Sequence, residues 1–110
     1  MSASLLLVVT TVGSRDEADR IARALVEQRL AACAQISAID SYYVWEDAVR
    51  CDAEFRVLFK VAASAYEEAE RAVRALHSYD LPAIHAIPVE RAYAPYADWV
   101  IANSTPQADL

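Results

Sequence analysis

The most regular feature of the chain is an alternation of apolar and charged residues over residues 49–61. All odd positions are apolar, and all even positions except Leu58 are charged. Alternation with a period of two is typical of a β-strand with one buried and one exposed face. Residues 31–45 are also rich in strand-forming types and contain neither glycine nor proline. With residues 46–48 as the turn, residues 31–61 are therefore predicted to form one long antiparallel hairpin.

The predicted hairpin is long for a chain of 110 residues. At about 3.3 Å per residue its second strand measures roughly 43 Å, whereas a compact domain of this size is about 34 Å across. We therefore expect the hairpin to project beyond its own domain. A projecting ribbon with an apolar face is unstable alone in water, which predicts an obligate oligomer with the hairpin tips on neighbouring subunits. The alternative is a bent strand that curls over the chain's own helices.

The first strand of the hairpin is less regular than the second. Its apolar residues change parity part-way along: Ala32, Ala34, Ile36 and Ala38 occupy even positions, and Ile39, Tyr43 and Trp45 occupy odd ones. A change of phase of this kind predicts a β-bulge or a kink near residues 37–40, because a bulge moves the following side chains to the other face of the sheet.

Two amphipathic helices are predicted before and after the hairpin. Apolar residues recur at helical spacing over about residues 15–29 and again over about residues 65–77. Each helix begins with a predicted capping box, in which a serine side chain accepts from a glutamate backbone amide and the glutamate side chain reaches back. The two boxes are Ser14 with Glu17 and Ser64 with Glu67.

Three further segments complete the predicted elements. The continuous apolar run over residues 4–11 indicates a central strand that is buried on both faces. Residues 83–90 predict a final strand, and Pro88 places it at a sheet edge or marks the strand end. A short last helix is expected within residues 93–103, with a proline near its start.

The elements repeat within the chain. Strand, helix and strand occur over residues 5–39 and again over residues 55–89. Two such units joined by a hairpin make an α+β fold, the ferredoxin-like βαββαβ sandwich, here with an extended hairpin between its second and third strands and a short C-terminal helix. We expect one domain over residues 1–103 and a flexible tail over residues 104–110. The helices cover one sheet face, and three subunits that pack their sheets inward would cover the other.

The composition excludes several functional classes. Sixteen acidic and ten basic residues give a net charge of −6, which argues against nucleic acid or an acidic membrane surface as a partner. Gly13 is the only glycine, which excludes glycine-rich phosphate loops and the dinucleotide fingerprint. No nucleophile elbow or paired-carboxylate spacing indicates an enzyme, and we expect no organic cofactor. Because the two cysteines form no disulfide framework and no secretion signal or membrane span is recognisable, we expect a cytoplasmic protein.

Several segments carry a resemblance to a known family. They are residues 30–35 (LAACAQ), residues 41–46 (SYYVWE), Lys60, residues 77–82 (HSYDLP) and residues 96–99 (YADW). In order and spacing they resemble the CutA family, the divalent-cation tolerance proteins, from about Leu6 to Ile101. The resemblance implies a ferredoxin-like homotrimer, similar in architecture to the PII signalling proteins, and an association with copper and other divalent metals.

The chain departs from the family pattern at two places. At the hairpin turn the family has a glycine and a lysine shortly after the tryptophan, whereas here Trp45 is followed by Glu46, Asp47 and Ala48. In the later loop Ser78 stands in place of a proline, and Ala83 in place of a glutamate. The loss of this carboxylate and this lysine affects the polar pocket that the family implies between subunits, and leaves the fold unchanged.

Cys33 and His77 are the candidate metal ligands. Cys33 matches the family's recurrent cysteine, and a thiolate is a good ligand for Cu(I); the alternative is a small apolar residue packed in a strand. His77 ends the second helix, where it is either a helix cap or a ligand. Cys51 has no family counterpart and is expected to pack in the core or in an interface. His85 has weaker support, and no chelating spacing joins these residues, so a metal site must be assembled across strands or subunits.

Lys60, Tyr79, Asp80 and Trp45 are the candidates for an inter-subunit pocket. Lys60 is the only lysine, and near His77 and Tyr79 its charge suits a carboxylate or a phosphate. The alternative for Lys60 is a salt bridge, for example with Asp80. Trp45 and Trp99 are expected to anchor the trimer interface rather than to stack on a ligand.

Three functions remain open at this point. The first is a CutA-like cytoplasmic trimer that binds copper or another divalent metal and is not a catalyst. The second is a PII-like signalling or adaptor trimer that takes a small anion or a partner protein in its inter-subunit cleft; the candidate cluster of Lys60, His77 and Tyr79 favours it, and Ala83 weakens it. The third is a purely structural interaction module, which the apolar hairpin tip supports.

Overall fold

The computed structural model describes residues 4–106. The elements in chain order are β1 (Leu5–Val12), α1 (Arg15–Glu27), β2 (Cys33–Trp45), β3 (Ala48–Ala62), a 3₁₀ turn (Ala63–Ala65), α2 (Tyr66–Leu76), β4 (Ile84–Pro88) and α3 (Ala94–Asn103). The four strands form one antiparallel sheet in the order β2-β3-β1-β4. This is the predicted βαββαβ arrangement, with the continuous apolar run as an interior strand and Pro88 at the end of an edge strand.

The main core lies between one face of the sheet and helices α1 and α2. On this face Val8 of β1 is paired with Phe59 of β3, and both are fully buried. Ile21 and Leu25 of α1 and Val73 of α2 belong to the same buried cluster. Burying each large apolar side chain contributes about 1.5–3 kcal/mol, so this layer holds the strands and the two helices together.

Helix α3 lies on the opposite sheet face and covers only one end of it. Val100 of α3 and Leu5 of β1 are buried there. Ser104, which directly follows α3, accepts a 2.8 Å hydrogen bond from the backbone of Ala62 and donates one to the carbonyl of Val100. Ser104 is fully buried, which corrects the prediction that the flexible tail begins there. The rest of that tail from residue 107 onward lies outside the described residues.

The hairpin has no bulge. Each residue of β2 from Cys33 to Trp45 is paired with one of β3 from Lys60 to Ala48 in unbroken register. The predicted bulge is therefore wrong: the even-numbered apolar residues of β2 face α1 and α2, and the odd-numbered ones face the opposite side near the tip, where those helices no longer extend. The turn contains only Glu46 and Asp47, both with positive φ (50° and 61°), the geometry of a tight two-residue hairpin turn.

The hairpin makes the molecule elongated. Its extents are 45 × 33 × 20 Å, and the large apolar side chains toward the hairpin end are exposed: Tyr42, Tyr43, Val44, Trp45 and Val49. The hairpin therefore projects, as its length predicts, and does not curl over the helices.

The first capping box is half formed and the second is absent. Ser14 accepts a 3.1 Å hydrogen bond from the amide of Glu17, as predicted, but the Glu17 side chain bonds elsewhere. The cap of α2 is Ala65, which makes no side-chain hydrogen bond. Ser64 lies in the 3₁₀ turn before the helix, so its hydroxyl is one position too early to cap it. Within residues 4–106 no helix is long and apolar enough to span a membrane.

Candidate functional site

Cys33 begins β2 and is paired with Lys60 of β3. Residues directly opposite in an antiparallel pair share a face, so both side chains lie on the sheet face away from α1 and α2. Cys33 is a free, partly exposed thiol. Lys60 donates a 3.0 Å hydrogen bond to the hydroxyl of Tyr96, with its ammonium 5.4 Å from the centre of that ring. This hydrogen bond raises the pKa of Lys60 above its ordinary value, and the nearby Cys33 acts in the same direction while burial opposes them.

His77 is the C-cap residue of α2, and its side chain is fully buried. Its Nε2 lies 2.8 Å from the carbonyl oxygen of Thr11, and its Nδ1 accepts a 3.1 Å hydrogen bond from the backbone of Tyr79. This pair of partners fits the neutral tautomer with the proton on Nε2. Both nitrogens are thus engaged within the chain, so His77 has no free nitrogen for the predicted metal ligation and serves as the helix cap.

Glu17 anchors the loop that contains His77. Glu17 is only 8% exposed, and its carboxylate accepts two 2.8 Å hydrogen bonds from Ser78, one from the backbone amide and one from the hydroxyl. A proline at position 78, as in the family pattern, has neither donor. Sequence reasoning assigned Glu17 to the helix cap alone; its apolar surroundings in α1 and the serine at position 78 are the signals that point to this contact.

A groove lies between this loop and the hairpin. It has a volume of ≈ 620 Å³ and contains three aromatic side chains, those of Tyr43, Trp45 and Tyr79, and two carboxylates, those of Glu54 and Asp80. Tyr79 donates a 2.8 Å hydrogen bond to Glu54. Burial, followed by this hydrogen bond, raises the pKa of Tyr79 above its ordinary value. Sequence reasoning did not single out Glu54. As one of the alternating charged residues of β3, it was predicted only to lie on an exposed face.

Three of the four predicted pocket residues lie in this groove, and Lys60 does not. Tyr79 contacts β3 at Glu54, six residues from Lys60, which corresponds to about 20 Å along a strand. Within residues 4–106 Lys60 also forms no salt bridge with Asp80. The predicted cluster of Lys60, His77 and Tyr79 is therefore not assembled within one chain, since the loop of His77 and Tyr79 meets β3 at Glu54 and Lys60 lies six residues further along the strand.

The whole-chain comparisons agree with the fold. The family model described as CutA1 divalent ion tolerance protein matches residues 6–103. This chain belongs to the CutA1 family. The divalent-cation tolerance protein CutA of Archaeoglobus fulgidus is 39% identical over 93 residues, which are 84% of this chain and 91% of that protein. The CutA protein of Thermus thermophilus is 39% identical over 99 residues, 89% of this chain and 96% of that protein.

Solved CutA1 structures superpose on nearly the whole chain. The divalent cation tolerance protein (Cut A1) of Thermus thermophilus has a TM-score of 0.88 at 38% identity and covers 92% of this chain and 99% of its own. CutA1 from the psychrotrophic bacterium Shewanella has a TM-score of 0.91 at 36% identity, with 94% and 98% covered. The resemblance seen in the sequence is thereby confirmed for the family and for the fold.

The CutA1 chain holds no ready-made metal cluster in its described part. Among residues 4–106 no group of three His, Cys, Asp or Glu side chains converges on one point. Cys51 is exposed near the hairpin tip, so it is not a core residue. His85 is exposed on β4, opposite Val9. Of the two candidate ligands Cys33 and His77, only Cys33 presents a donor atom that no described residue occupies by a hydrogen bond.

Proposed function

We propose that this CutA1 protein is a non-catalytic homotrimer that binds copper, or another divalent metal, through Cys33. The observation that carries the proposal is the position of Cys33: a free, partly exposed thiol on the sheet face that α1 and α2 leave open. A thiolate is a preferred ligand of Cu(I) and of other soft metals.

The oligomer is supported by the projecting hairpin. Tyr42, Val44 and Val49 are 69–75% exposed on one face of its tip, and an apolar ribbon of this length is unstable in water without a partner layer. A ring of three chains gives each tip a neighbour to contact and closes the assembly. In such a ring a neighbouring chain would supply the further metal ligands that one chain lacks.

The groove containing Trp45, Tyr79 and Asp80 is the proposed inter-subunit pocket. It opens toward the hairpin, where a neighbouring chain would lie. The PII-like alternative ranks behind metal binding, because the Lys60, His77 and Tyr79 cluster on which it depends is not formed within one chain. A role without catalysis is supported by His77, whose two nitrogens are both engaged by backbone groups. The free thiols of both cysteines support the proposed cytoplasmic location.

The test is a titration of the reduced, metal-free protein with Cu(I) against a chelating competitor. We expect tight, stoichiometric binding that Cys33→Ser abolishes and that Cys51→Ser, the matched control at the other cysteine, leaves intact. Binding that survives in Cys33→Ser would overturn the assignment of the ligand. The trimer has a separate test: light scattering at micromolar protein should give three times the mass of one chain, and a monomeric mass would overturn it.

A further inference from the structure

The sheet has two open edges, and they carry different strands. In the order β2-β3-β1-β4 the strands β2 and β4 lie at the ends, so each is paired on one side only among the described residues. An open edge is a template for a further strand. The contacts in a closed ring of three identical subunits are head-to-tail. With the sheets side by side around the ring, as in the proposed trimer, the β2 edge of each subunit therefore faces the β4 edge of the next.

Cys33 and His85 lie on these two edges and on the same face of the sheet. Cys33 of β2 is paired with Lys60 of β3, which is itself paired with Leu7 of β1. His85 of β4 is paired with Val9, two residues further along β1. Paired residues share a face, and so do alternate residues of one strand. Both side chains therefore lie on the face away from α1 and α2, where Cys33 is partly exposed and His85 is exposed.

Within one chain the two side chains are too far apart to share a metal ion. The strands β3 and β1 lie between them, and three strand spacings amount to about 14 Å. A thiolate or an imidazole binds a metal at about 2.0–2.3 Å, so one ion does not bridge this gap. Across an edge-to-edge contact the two strands are instead about 4.8 Å apart. The pair is complete only when a second subunit supplies one of its members.

The register of the sheet brings the two positions to nearly the same level along the strands. β2 and β4 run in opposite directions, because three successive antiparallel pairs separate them. Cys33 lies in the row of Leu7 and His85 in the row of Val9, an offset of about 7 Å along the strands. In an antiparallel edge contact without stagger the two are diagonal neighbours, whose side chains approach each other. A stagger of the kind that ring closure introduces brings them directly opposite.

We propose that Cys33 of one subunit and His85 of the neighbouring subunit together bind one Cu(I) ion at each interface of the ring. The proposal rests on the copper-binding function proposed above and names the second ligand of that site. Thiolate and imidazole are both good copper ligands. On binding, the thiol releases its proton to water and the imidazole is neutral. A pair of ligands suits Cu(I), which accepts low coordination numbers, better than Zn²⁺, whose structural sites take four protein ligands.

The first experiment is the Cu(I) titration against a chelating competitor, applied to variants of His85 in the full-length protein. His85→Gln removes the imidazole and should bind at least about tenfold more weakly, since even the groups that orient a metal ligand are worth that much. His85→Cys supplies a second thiolate and should bind Cu(I) at least as tightly as the wild type. Ile87→Ala, at the next position on the same face of β4, is the control. Ile87 is 46% exposed, and its variant should leave the affinity unchanged. Light scattering verifies that each variant keeps the mass of the trimer.

The second experiment tests whether the two ligands come from different subunits. Chains with Cys33→Ser are co-expressed with chains with His85→Gln, so that no chain carries both ligands. In the mixed trimers about one quarter of the head-to-tail interfaces combine an intact Cys33 with an intact His85. We expect tight Cu(I) binding to return at that fraction of the sites. A site built within one chain regains nothing.

A failure of His85 as a ligand is distinguishable from a failure of copper binding itself. Wild-type affinity in His85→Gln, together with its loss in Cys33→Ser, would overturn the role of His85 and leave the proposed copper-binding function standing. Mixed trimers without restored binding would overturn the assembly of the pair across an interface. A wild-type protein that does not bind Cu(I) tightly would overturn both the proposed function and this site.

Discussion

The two ends of the hairpin belong to one continuous ladder of paired residues, but they differ in how deeply their side chains are buried. At its base, Val57 of β3 is fully buried under the helices, whereas near its tip Val49, on the same strand and the same face, is 75% exposed. The register is unbroken between them. Alternation along a strand therefore determines which side chains share a face, but a side chain becomes buried only where another layer lies over that face. At the base this layer is supplied by α1 and α2 of the same chain. At the tip it would have to be supplied by another subunit.

The largest expected difference is between two identical substitutions on β3. Val57→Ala should lower the free energy of unfolding by about 2–3 kcal/mol, because it removes buried methyl groups and leaves a cavity. Val49→Ala should change it by less than about 0.5 kcal/mol in a monomer, as for other exposed sites. Urea denaturation measures both. A loss at Val49 that grows as protein concentration rises would show that the tip is buried in the oligomer, and equal losses at low concentration would contradict the comparison.

Glu17 of α1 anchors the loop that forms one side of the groove beside the hairpin. Glu17→Gln should lower the free energy of unfolding by about 2 kcal/mol, because the amide turns a donor toward the two donors of Ser78. Glu27→Gln, in the same helix, is the control: its salt bridge with Arg23 is exposed and is worth little. Thermal and urea unfolding of the two variants should therefore differ, and a Glu17 variant as stable as the Glu27 variant would contradict the anchoring role.

A variant of the hairpin turn tests whether the tip and the base of the hairpin unfold together. Glu46 and Asp47 hold left-handed backbone angles without being glycine, which costs about 1 kcal/mol or more per residue. The double variant Glu46→Asn, Asp47→Gly matches the preferred sequence of this turn and should raise the free energy of unfolding by about 1–2 kcal/mol. No change in global unfolding, with slower amide exchange confined to the tip, would show instead that the tip opens independently of the base.

A buried polar group in β1, paired with Val57 at the base of the hairpin, lowers the stability of the fold. The hydroxyl of Thr10 is buried among the sheet residues that face α1 and α2, and it has no hydrogen-bond partner among residues 4–106. Thr10→Val replaces it with a methyl group of similar size and should raise the free energy of unfolding by about 1 kcal/mol. Thr11→Val, one residue along on the other face, is the control. A loss of stability in Thr10→Val would indicate that the hydroxyl has a partner, such as a buried water molecule.

The smallest expected effect is the pH dependence from Tyr79. Its pKa is raised in the folded protein, whereas in the unfolded chain it is about 10. The folded state therefore retains a proton that the unfolded chain releases, so this contribution to stability is complete below about pH 10 and declines as the pH rises above it. Urea unfolding at several pH values from 9 to 11 should show a shallower decline in Tyr79→Phe. An unchanged decline would contradict the role of burial and of Glu54.

Much of the fold could be predicted from local pattern, because periodicity and turn residues act within one element. The bounds of α1 and of the strands differ from prediction by only a few residues. The bulge was predicted wrongly because a change of parity has two causes that a sequence does not distinguish: a shift of the backbone, or a change in which face is covered. The second applies here, since α1 and α2 end before Tyr43 and Trp45.

The site was harder to predict, because its contacts join residues far apart in the chain. His77 is held by Thr11, sixty-six residues earlier, and no local feature of residues 77–82 indicates that its ring is buried. Lys60 was expected near His77 and Tyr79, but Tyr79 contacts β3 at Glu54 instead, because a strand's pattern gives its faces and not the loop that lies beside each residue. The family resemblance indicates which residues belong to a pocket. Only the strand register and the loop contacts of the structure show which of them lie together in one chain.

The interior position of β1 has a consequence for synthesis of the chain. β1 is paired with β3 on one side and with β4, which ends at Pro88, on the other, so its neighbours are made long after it. At about 5–20 residues per second, β1 leaves the ribosome roughly 4–15 s before its last partner is complete. Until β3 (Ala48–Ala62) is complete, Leu5–Val9 is an apolar segment without a partner strand. While it waits for its partner strands, this segment is the part of the nascent chain most exposed to aggregation.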